Sequence, residues 1–211
     1  MADAAAGLGI FMLSIPDSRG RAVAESHLMT TQPEWPRIAV VGAGAVGGYF
    51  GGMLSRAGAP VAMIGRQTFA DAVKRNGLFL DTLEFQEMVR PEAAAEMSAA
   101  RGAAVFLFCV KTTDTETAAR ELAPFLSPHG IVVSMQNGLD NAERIRTASG
   151  MEALPAAVYV AASVPEPGRI KHVGRGDLVI GPQSERTQKG ITTPDLRGRI
   201  HDLRVADSRR V

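Results

Sequence analysis

The sequence predicts an α/β protein built on a doubly wound parallel sheet. Short apolar runs alternate along the chain with segments of helical periodicity, an order typical of parallel strands joined by crossover helices. The strongest run, residues 104–110, is continuously apolar, as in strands that helices cover on both faces. A chain of 211 residues can bury one good-sized core but has little room for two full domains.

The first predicted unit has the order strand, helix, strand. A β-branched strand at residues 37–41 leads into a helix at 45–57, and Gly58 follows as a typical C-terminal glycine. The apolar residues 61–64 form the next buried strand, which Gly65 ends. These elements predict a βαβ unit.

The following segment leaves this regular pattern. Residues 69–75 have helical spacing and stop at Asn76-Gly77. Residues 78–81 and 85–90 then alternate apolar and polar side chains. This alternation predicts an excursion at the edge of the sheet.

Two more strand and helix pairs are predicted in the second half. The strand at 104–110 precedes a helix at 114–126, whose apolar positions are spaced by three and four. The strand at 131–135 precedes a helix at 141–148. In such a sheet, a ligand is expected beyond the carboxyl ends of the strands.

Three shorter strands are predicted before residue 182. They cover residues 156–162, 169–173 and 178–180. We expect the last two to be joined by a turn at Gly174-Arg175-Gly176.

A glycine-rich turn follows the first strand. Its residues are Gly42, Ala43, Gly44, Ala45, Val46 and Gly47, a G-x-G-x-x-G pattern that opens a helix. Gly42 suits the tight turn, Gly44 lets the backbone approach a pyrophosphate, and Gly47 lets the helix pack closely on the strand. Backbone N–H groups at the helix N-terminus can then bind the anion. The motif predicts a dinucleotide site, and the alternative is a purely structural turn.

The residue after the second strand bears on the choice of dinucleotide. A carboxylate normally receives the ribose 2′-hydroxyl of NAD there, whereas this sequence has Gly65-Arg66-Gln67. Since a guanidinium pairs well with a 2′-phosphate, Arg66 favours NADP(H). The alternative is that Arg66 is an ordinary solvated arginine.

Two polar residues directly follow buried strands. Lys111 ends the run at 104–110, and Asn137 follows the strand at 131–135. Both are expected to project over one crevice, where Lys111 could reach a phosphate, the nicotinamide or a substrate carboxylate. Asn137 precedes a glycine, so a simple Asn-Gly turn is its alternative interpretation.

Charge and cysteine content narrow the class of protein. A net charge of +1 gives no overall field for nucleic acid or an anionic membrane. A single cysteine, Cys109, excludes an intramolecular disulfide framework, and no C-x-x-C or His/Cys cluster predicts a metal site. Cys109 is predicted to be a small buried hydrophobe, and a reducing cytoplasm fits this composition.

The two ends differ from the middle of the chain. We expect residues 1–36 to be a disordered extension, since they lack the basic start of a signal peptide and their apolar stretch is too short to span a bilayer. Met29 offers a second start. Residues 183–211 are polar and rich in arginine, which predicts an irregular tail after a domain at residues 37–182.

Several motifs together resemble one family. They are the glycine motif, Arg66, Val110-Lys111 with Thr112-Thr113-Asp114, Gln136-Asn137-Gly138, Pro167-Gly168-Arg169-Ile170-Lys171-His172 and Ile180-Gly181-Pro182. In this order and spacing they resemble the N-terminal domain of the ketopantoate reductase (2-dehydropantoate 2-reductase) family, over residues 37–182.

This resemblance implies a Rossmann-type domain and an NADPH-dependent reduction of 2-dehydropantoate to pantoate, a step toward pantothenate and coenzyme A. By position, it implies that residues 42–47 hold the pyrophosphate and Arg66 the 2′-phosphate. It also implies that Lys111 lies near the nicotinamide and the substrate, as the candidate catalytic residue, and that Asn137 contacts both.

Members of that family continue into a helical domain that supplies the general-acid lysine and most substrate contacts. The present sequence stops before such a domain, and neither Lys171 nor Lys189 replaces that lysine by position. We therefore expect a truncated, weakly active or inactive reductase that exposes an apolar face and self-associates. Two alternatives stay open: a module that binds NADP(H) without catalysis, and a reductase of another 2-keto acid.

Overall fold

The computed structural model describes residues 14–16, 22–24, 35–138 and 140–180, the first two segments as backbone only. The chain divides into two compact units, Met1–Glu34 and Trp35–Val211. In the first unit, β1 (Ser14–Pro16) pairs antiparallel with β2 (Ala22–Ala24). The rest of residues 1–34, where an extension was predicted, lies outside the described residues, as does the predicted tail at 183–211.

The described part of the second unit contains one sheet and four α-helices. Its strands are β3 (Ile38–Val41), β4 (Val61–Ile64), β5 (Leu78–Asp81), β6 (Gln86–Val89), β7 (Glu92–Ala94), β8 (Val105–Phe108), β9 (Ile131–Ser134), β10 (Ala153–Glu166) and β11 (Arg169–Ile180). Its helices are α1 (Ala45–Arg56), α2 (Gln67–Asn76), α3 (Thr115–Leu122) and α4 (Asn141–Ser149).

The sheet confirms the predicted doubly wound α/β fold. Its strand order is β6-β5-β11-β10-β9-β8-β3-β4-β7. The six strands from β10 to β7 are all parallel, whereas β11 and β6 run antiparallel to β10 and β5. The sheet therefore has a fully parallel core, and antiparallel strands extend it at one side.

The sheet curls around α1. Strands β6 and β7 stand at opposite ends of the strand order, yet only Arg90 and Pro91 separate them along the chain. Three residue steps span at most about 11 Å, so the two ends of the sheet approach each other. Helix α1 lies inside the curl and contacts β3, β4, β5, β6, β10 and β11.

Two apolar clusters cover the two faces of the sheet, and β3 shows how the sequence separates them. Ile38 and Val40 belong to the cluster formed with α1 and α2, whereas Ala39 and Val41 belong to the cluster formed with α3 and α4. Because successive strand residues point to opposite faces, one continuous apolar run supplies both clusters.

The prediction of a turn at Gly174-Arg175-Gly176 is wrong. Residues 169–180 form one strand, β11, and the register of β10 with β11 shifts between Tyr159 and Val160 and again between Ala161 and Ala162. All three residues are part of this irregularity: Gly176 has no partner in the register, Gly174 has φ 159° and Arg175 has φ 57°. A β-bulge absorbs the extra residues without ending the strand.

Other boundaries also differ from prediction. The helix expected at 114–126 ends at Leu122, and a 3-10 turn at Ala123–Phe125 follows because Pro124 has no N–H to continue an α-helix. Strand β7 was not predicted, since three residues are too short to show a period. The strand at 61–64 and the edge excursion at 78–90 are confirmed.

Candidate functional site

Gly42 and Gly47 are required by the packing of the turn between β3 and α1. Gly42 has φ 99°, and a Cβ there would lie 2.7 Å from the backbone nitrogen of Val110. A Cβ at Gly47 would collide with the Gly42 carbonyl oxygen and lie 2.9 Å from Cγ1 of Val40. The first glycine thus lets the turn rest against the end of β8, and the second lets α1 rest on β3.

Gly44 faces open space. A Cβ there would meet no atom within 4 Å, and its φ of −84° is open to any residue. The first bond of α1 runs from the Gly48 N–H to the Gly44 carbonyl at 2.7 Å. The N–H groups of Ala45, Val46 and Gly47 precede that bond and have no acceptor within the helix. Free space beside unpaired N–H groups at a helix N-terminus fits a phosphate.

Arg66 lies next to this turn. The Ile64 carbonyl at the end of β4 accepts the N–H groups of both Gly42 and Ala43 at 2.9 Å. Arg66 comes two residues later, at the N-cap of α2, and is exposed. Its guanidinium makes no hydrogen bond or ion pair with any described residue. Arg66 is therefore an exposed cation close in the chain to the glycine turn, and its role toward a 2′-phosphate stays a prediction.

Lys111 and Asn137 follow the neighbouring strands β8 and β9. The Thr112 hydroxyl donates to the Asn137 carbonyl at 3.4 Å, which joins the two loops. The Cys109 N–H donates to the Val41 carbonyl at 2.7 Å, which joins the first loop to β3. Both candidate side chains are exposed, and neither hydrogen-bonds to a described residue. The structure thus places them on adjacent loops at the edge that holds the glycine turn.

A set of buried polar residues lies behind these loops, and sequence reasoning assigned them no role. They are Thr115, Ser134, Gln136 and Asn141. The available signal was the position of two of them: Ser134 lies within the apolar strand predicted at 131–135, and Gln136 follows it directly.

An ion pair ties the helices that follow the two loops. Arg144 of α4 donates to both carboxylate oxygens of Glu116 in α3, at 2.7 and 2.9 Å. These hydrogen bonds hold the pKa of Glu116 below its usual range. Arg144 also donates to the Thr112 carbonyl at 2.9 Å, so the same side chain reaches the loop that carries Lys111.

Cys109 packs against the core cluster of α1 and α2, with its Sγ 3.8 Å from Sδ of Met135. Although the residue as a whole is partly exposed, burial of the thiol raises its pKa to about 12. In the part of the chain that is described, no cluster of three or more His, Cys, Asp or Glu side chains is placed to bind a metal ion. None of the helices in that part is long and apolar enough to cross a membrane.

The strand order and the glycine turn define a Rossmann-type protein. The family model described as ketopantoate reductase PanE/ApbA matches residues 38–185. This chain belongs to that family.

Individual relatives agree with this assignment. The 2-dehydropantoate 2-reductases of Pyrococcus abyssi and Halobacterium salinarum are each 31% identical over alignments of 155 and 153 residues. These alignments cover 74% and 69% of this chain, and 50% and 48% of the respective relatives. The crystal structure of a PanE/ApbA family ketopantoate reductase from Ralstonia eutropha JMP134 shares 42% identity with a TM-score of 0.68, covering 75% of this chain and 55% of that chain. The chain spans about half the length of the curated relatives it matches.

A more distant structure shows a likeness of fold. D-mandelate dehydrogenase, solved as a complex with NADH, is 20% identical with a TM-score of 0.61, covering 76% of this chain and 52% of that chain.

Proposed function

We propose that this chain is the cofactor-binding half of an NADPH-dependent oxidoreductase that reduces 2-dehydropantoate to pantoate, on the route to pantothenate and coenzyme A. Its family membership and the names of its relatives support this reaction. One structural observation carries the cofactor assignment: the open space at Gly44 lies beside unpaired helix N–H groups, with the free guanidinium of Arg66 next to the same turn. We place the enzyme in the cytoplasm, which its single cysteine fits.

Each residue of the site has a proposed role. The N–H groups at residues 45–47 bind the pyrophosphate, and Arg66 pairs with the 2′-phosphate of NADP(H). The bound cofactor supplies the hydride. Asn137 contacts cofactor and substrate with its amide, and Lys111 presents a cation to the carboxylate or the carbonyl oxygen of the 2-keto acid.

Cofactor preference tests the assignment of Arg66. NADPH and NADH are titrated by fluorescence against the wild type, Arg66→Ala and the control Arg75→Ala, which removes an exposed arginine from the other end of α2. We expect the wild type to prefer NADPH and Arg66→Ala to lose about one to two decades of NADPH affinity, the value of a charge-assisted contact. The control keeps the preference. Equal wild-type affinities for the two cofactors would overturn the NADP(H) assignment.

Turnover tests the reaction. NADPH oxidation is followed by absorbance with 2-dehydropantoate and, separately, with a 2-keto acid that lacks its hydroxymethyl group. We expect very weak or no turnover by the chain alone, because Lys111 and Asn137 hold the substrate at too few points for a near-attack position. Tight NADPH binding without any turnover, also when a helical domain of a relative is appended, would favour the non-catalytic module. Faster turnover of the shorter acid would favour the reductase of another 2-keto acid.

A further inference from the structure

The buried polar side chains behind Lys111 and Asn137 form one connected network. Thr115, Ser134, Gln136 and Asn141 are between 0% and 8% exposed, and they are the four buried polar residues of the described chain. Bulk water has little access to them, so buried polar groups of this kind need hydrogen-bond partners inside the fold. Their hydrogen-bond partners show which segments of the backbone the network holds in place.

Gln136 uses all of its amide atoms. Its Nε2 donates to the Val110 carbonyl at 3.1 Å and to the Thr115 hydroxyl at 2.7 Å. Its Oε1 accepts from the Ser134 hydroxyl at 3.3 Å. The amide thus connects the loop after β9 to the loop after β8.

The Thr115 hydroxyl continues the chain of bonds. Because its oxygen accepts from Gln136, its single proton is free to donate to the Thr112 carbonyl at 2.9 Å. The carbonyl groups of Val110 and Thr112 stand on either side of Lys111 in the sequence. The backbone that carries Lys111 is therefore held from both sides.

Asn141 holds the second loop. Its Nδ2 donates to the Asn137 carbonyl at 2.7 Å, and its Oδ1 lies 3.4 Å from the Thr115 hydroxyl oxygen. One hydroxyl group thus touches both the residue that holds the Lys111 loop and the residue that holds Asn137. Because these groups are buried, removing one of them leaves its partners without a hydrogen bond, since no water molecule takes its place.

We propose that Thr115 and Gln136 are positioning residues, which set the backbones of Lys111 and Asn137 relative to each other for binding of the nicotinamide cofactor. This inference rests on the proposed function, since it assumes that both side chains contact the cofactor. Neither positioning residue touches the cofactor itself.

Two substitutions at Thr115 distinguish the effect of its hydroxyl group from the effect of its methyl group. Thr115→Val keeps the shape and removes the hydroxyl, whereas Thr115→Ser keeps the hydroxyl and removes the methyl. Ile145→Val is the control, because Ile145 is 0% exposed in the same layer and outside the network. All four proteins are titrated with NADPH and NADH, and their melting temperatures are measured.

We expect Thr115→Val to lower the affinities for NADPH and for NADH about tenfold each. The preference for NADPH that we assign to Arg66 is then unchanged. Thr115→Ser and the control keep wild-type affinity even though each loses a buried methyl group and some stability. If cofactor affinity across the variants correlates with melting temperature and not with the presence of the hydroxyl group, the proposal is overturned.

Hydrogen exchange gives a readout that does not need the cofactor. We expect Thr115→Val to speed amide exchange in residues 136–141 as well as in residues 110–116, while Thr115→Ser leaves both loops protected. A change confined to 110–116 would refute the coupling. If the wild type binds neither cofactor, the proposed function fails, and the exchange data alone decide whether the network joins the loops.

Discussion

A Cβ atom at Gly42 or Gly47 would run into protein atoms, whereas a Cβ at Gly44 would enter open space. The first two glycines therefore serve the packing of the chain against β8 and β3. No described protein atom requires a glycine at the third position, and the proposed function assigns the open space there to the pyrophosphate. Single substitutions can separate these two purposes.

Gly44→Val is expected to abolish NADPH binding while the fold survives. The valine side chain occupies the space where a pyrophosphate would approach, but it meets no protein atom and no unfavourable φ. Circular dichroism and cofactor titration measure the two effects. Gly42→Val is the contrasting variant, because its positive φ and its contact with Val110 predict loss of the fold. A folded Gly44→Val protein with retained affinity would show that the turn is only structural.

Cys109 is expected to be unreactive in the native protein. Since burial raises the pKa of its thiol to about 12, only about one molecule in ten thousand carries a thiolate near pH 8. A chromogenic disulfide reagent should label the native chain very slowly and label one thiol per chain at once in urea, because the sequence has one cysteine. Rapid labelling of the folded protein would mean that the thiol is accessible.

At the scale of elements, α1 contains Gly47, Gly48, Gly51 and Gly52, although each interior glycine costs a helix about 1 kcal/mol relative to alanine. Gly47 and Gly51 let the helix pack on β3 and β4, and the curl of the sheet accounts for Gly48 and Gly52. A Cβ at Gly48 would collide with the side chain of Ile170, and one at Gly52 would lie 2.6 Å from Cδ2 of Leu80. Strands β11 and β5 can approach the helix only because these positions are bare.

Gly48→Ala is expected to destabilise the protein by about 1–3 kcal/mol, because the overlap with Ile170 outweighs the gain in helix propensity. Ile170 is 1% exposed and has little room to move. The double variant Gly48→Ala/Ile170→Val removes the clashing methyl and should be more stable than the sum of the single changes. Urea unfolding measures all three, with Ser55→Ala as a control on the same helix. Additive effects would mean that the two residues are not in contact.

The pairing of β5 with β11 includes a pH-dependent contact. Arg169 donates to the Asp81 carboxylate at 2.8 Å, and this hydrogen bond holds the pKa of Asp81 below its usual range. A lowered carboxyl pKa stabilises the fold above the unfolded pKa of about 3.9 and loses that effect as pH falls through the folded value. Asp81→Asn should therefore melt below the wild type at neutral pH.

Thermal melts across a pH series check this prediction. The difference between Asp81→Asn and the wild type should shrink as pH falls through the lowered folded pKa of Asp81, where the wild-type carboxylate also becomes protonated. Glu84→Gln, an exposed change at the tip of the β5–β6 hairpin, should show no such trend. A difference that stays constant with pH would assign the effect of Asp81→Asn to packing.

At the scale of the whole molecule, β10 and β11 extend beyond the parallel sheet. β10 pairs with β9 only over residues 153–155, and β11 pairs with β5 only over residues 169–171. Beyond these pairing segments, no other described strand pairs with the outer edges of the β10–β11 ribbon, and Tyr159, Val173 and Val179 are 44%, 53% and 49% exposed. Open strand edges with exposed apolar side chains favour association.

The isolated chain is therefore expected to form concentration-dependent oligomers through this ribbon. Sedimentation velocity over a range of concentrations measures the association. Val173→Lys/Val179→Lys should shift the protein toward monomer, because charges on the ribbon oppose edge pairing. Leu83→Lys, at a residue that is 72% exposed at the β5–β6 tip and is not part of the ribbon, is the control and should leave the association unchanged. A monomer at every concentration would contradict the prediction.

The sequence by itself determined the features that depend on residues close together in the chain. Periodicity located β4 at residues 61–64 and all four helices, and the order and spacing of the short motifs identified the family. Because the carboxyl ends of parallel strands meet at one edge of a sheet, the sequence predicted that the glycine turn, Lys111 and Asn137 lie near one another. The structure places them on neighbouring loops. Their roles at that edge stay predictions.

Only the tertiary structure decided the features that depend on distant pairing. Asp81 and Arg169 are 88 positions apart, and nothing local to either signals that β5 lies beside β11. The continuity of β11 through Gly174 is decided by its register with β10, since the same glycine is equally suited to a turn. The network of Thr115 and Gln136 likewise exists only because folding places the ends of β8 and β9 side by side and removes water from between them.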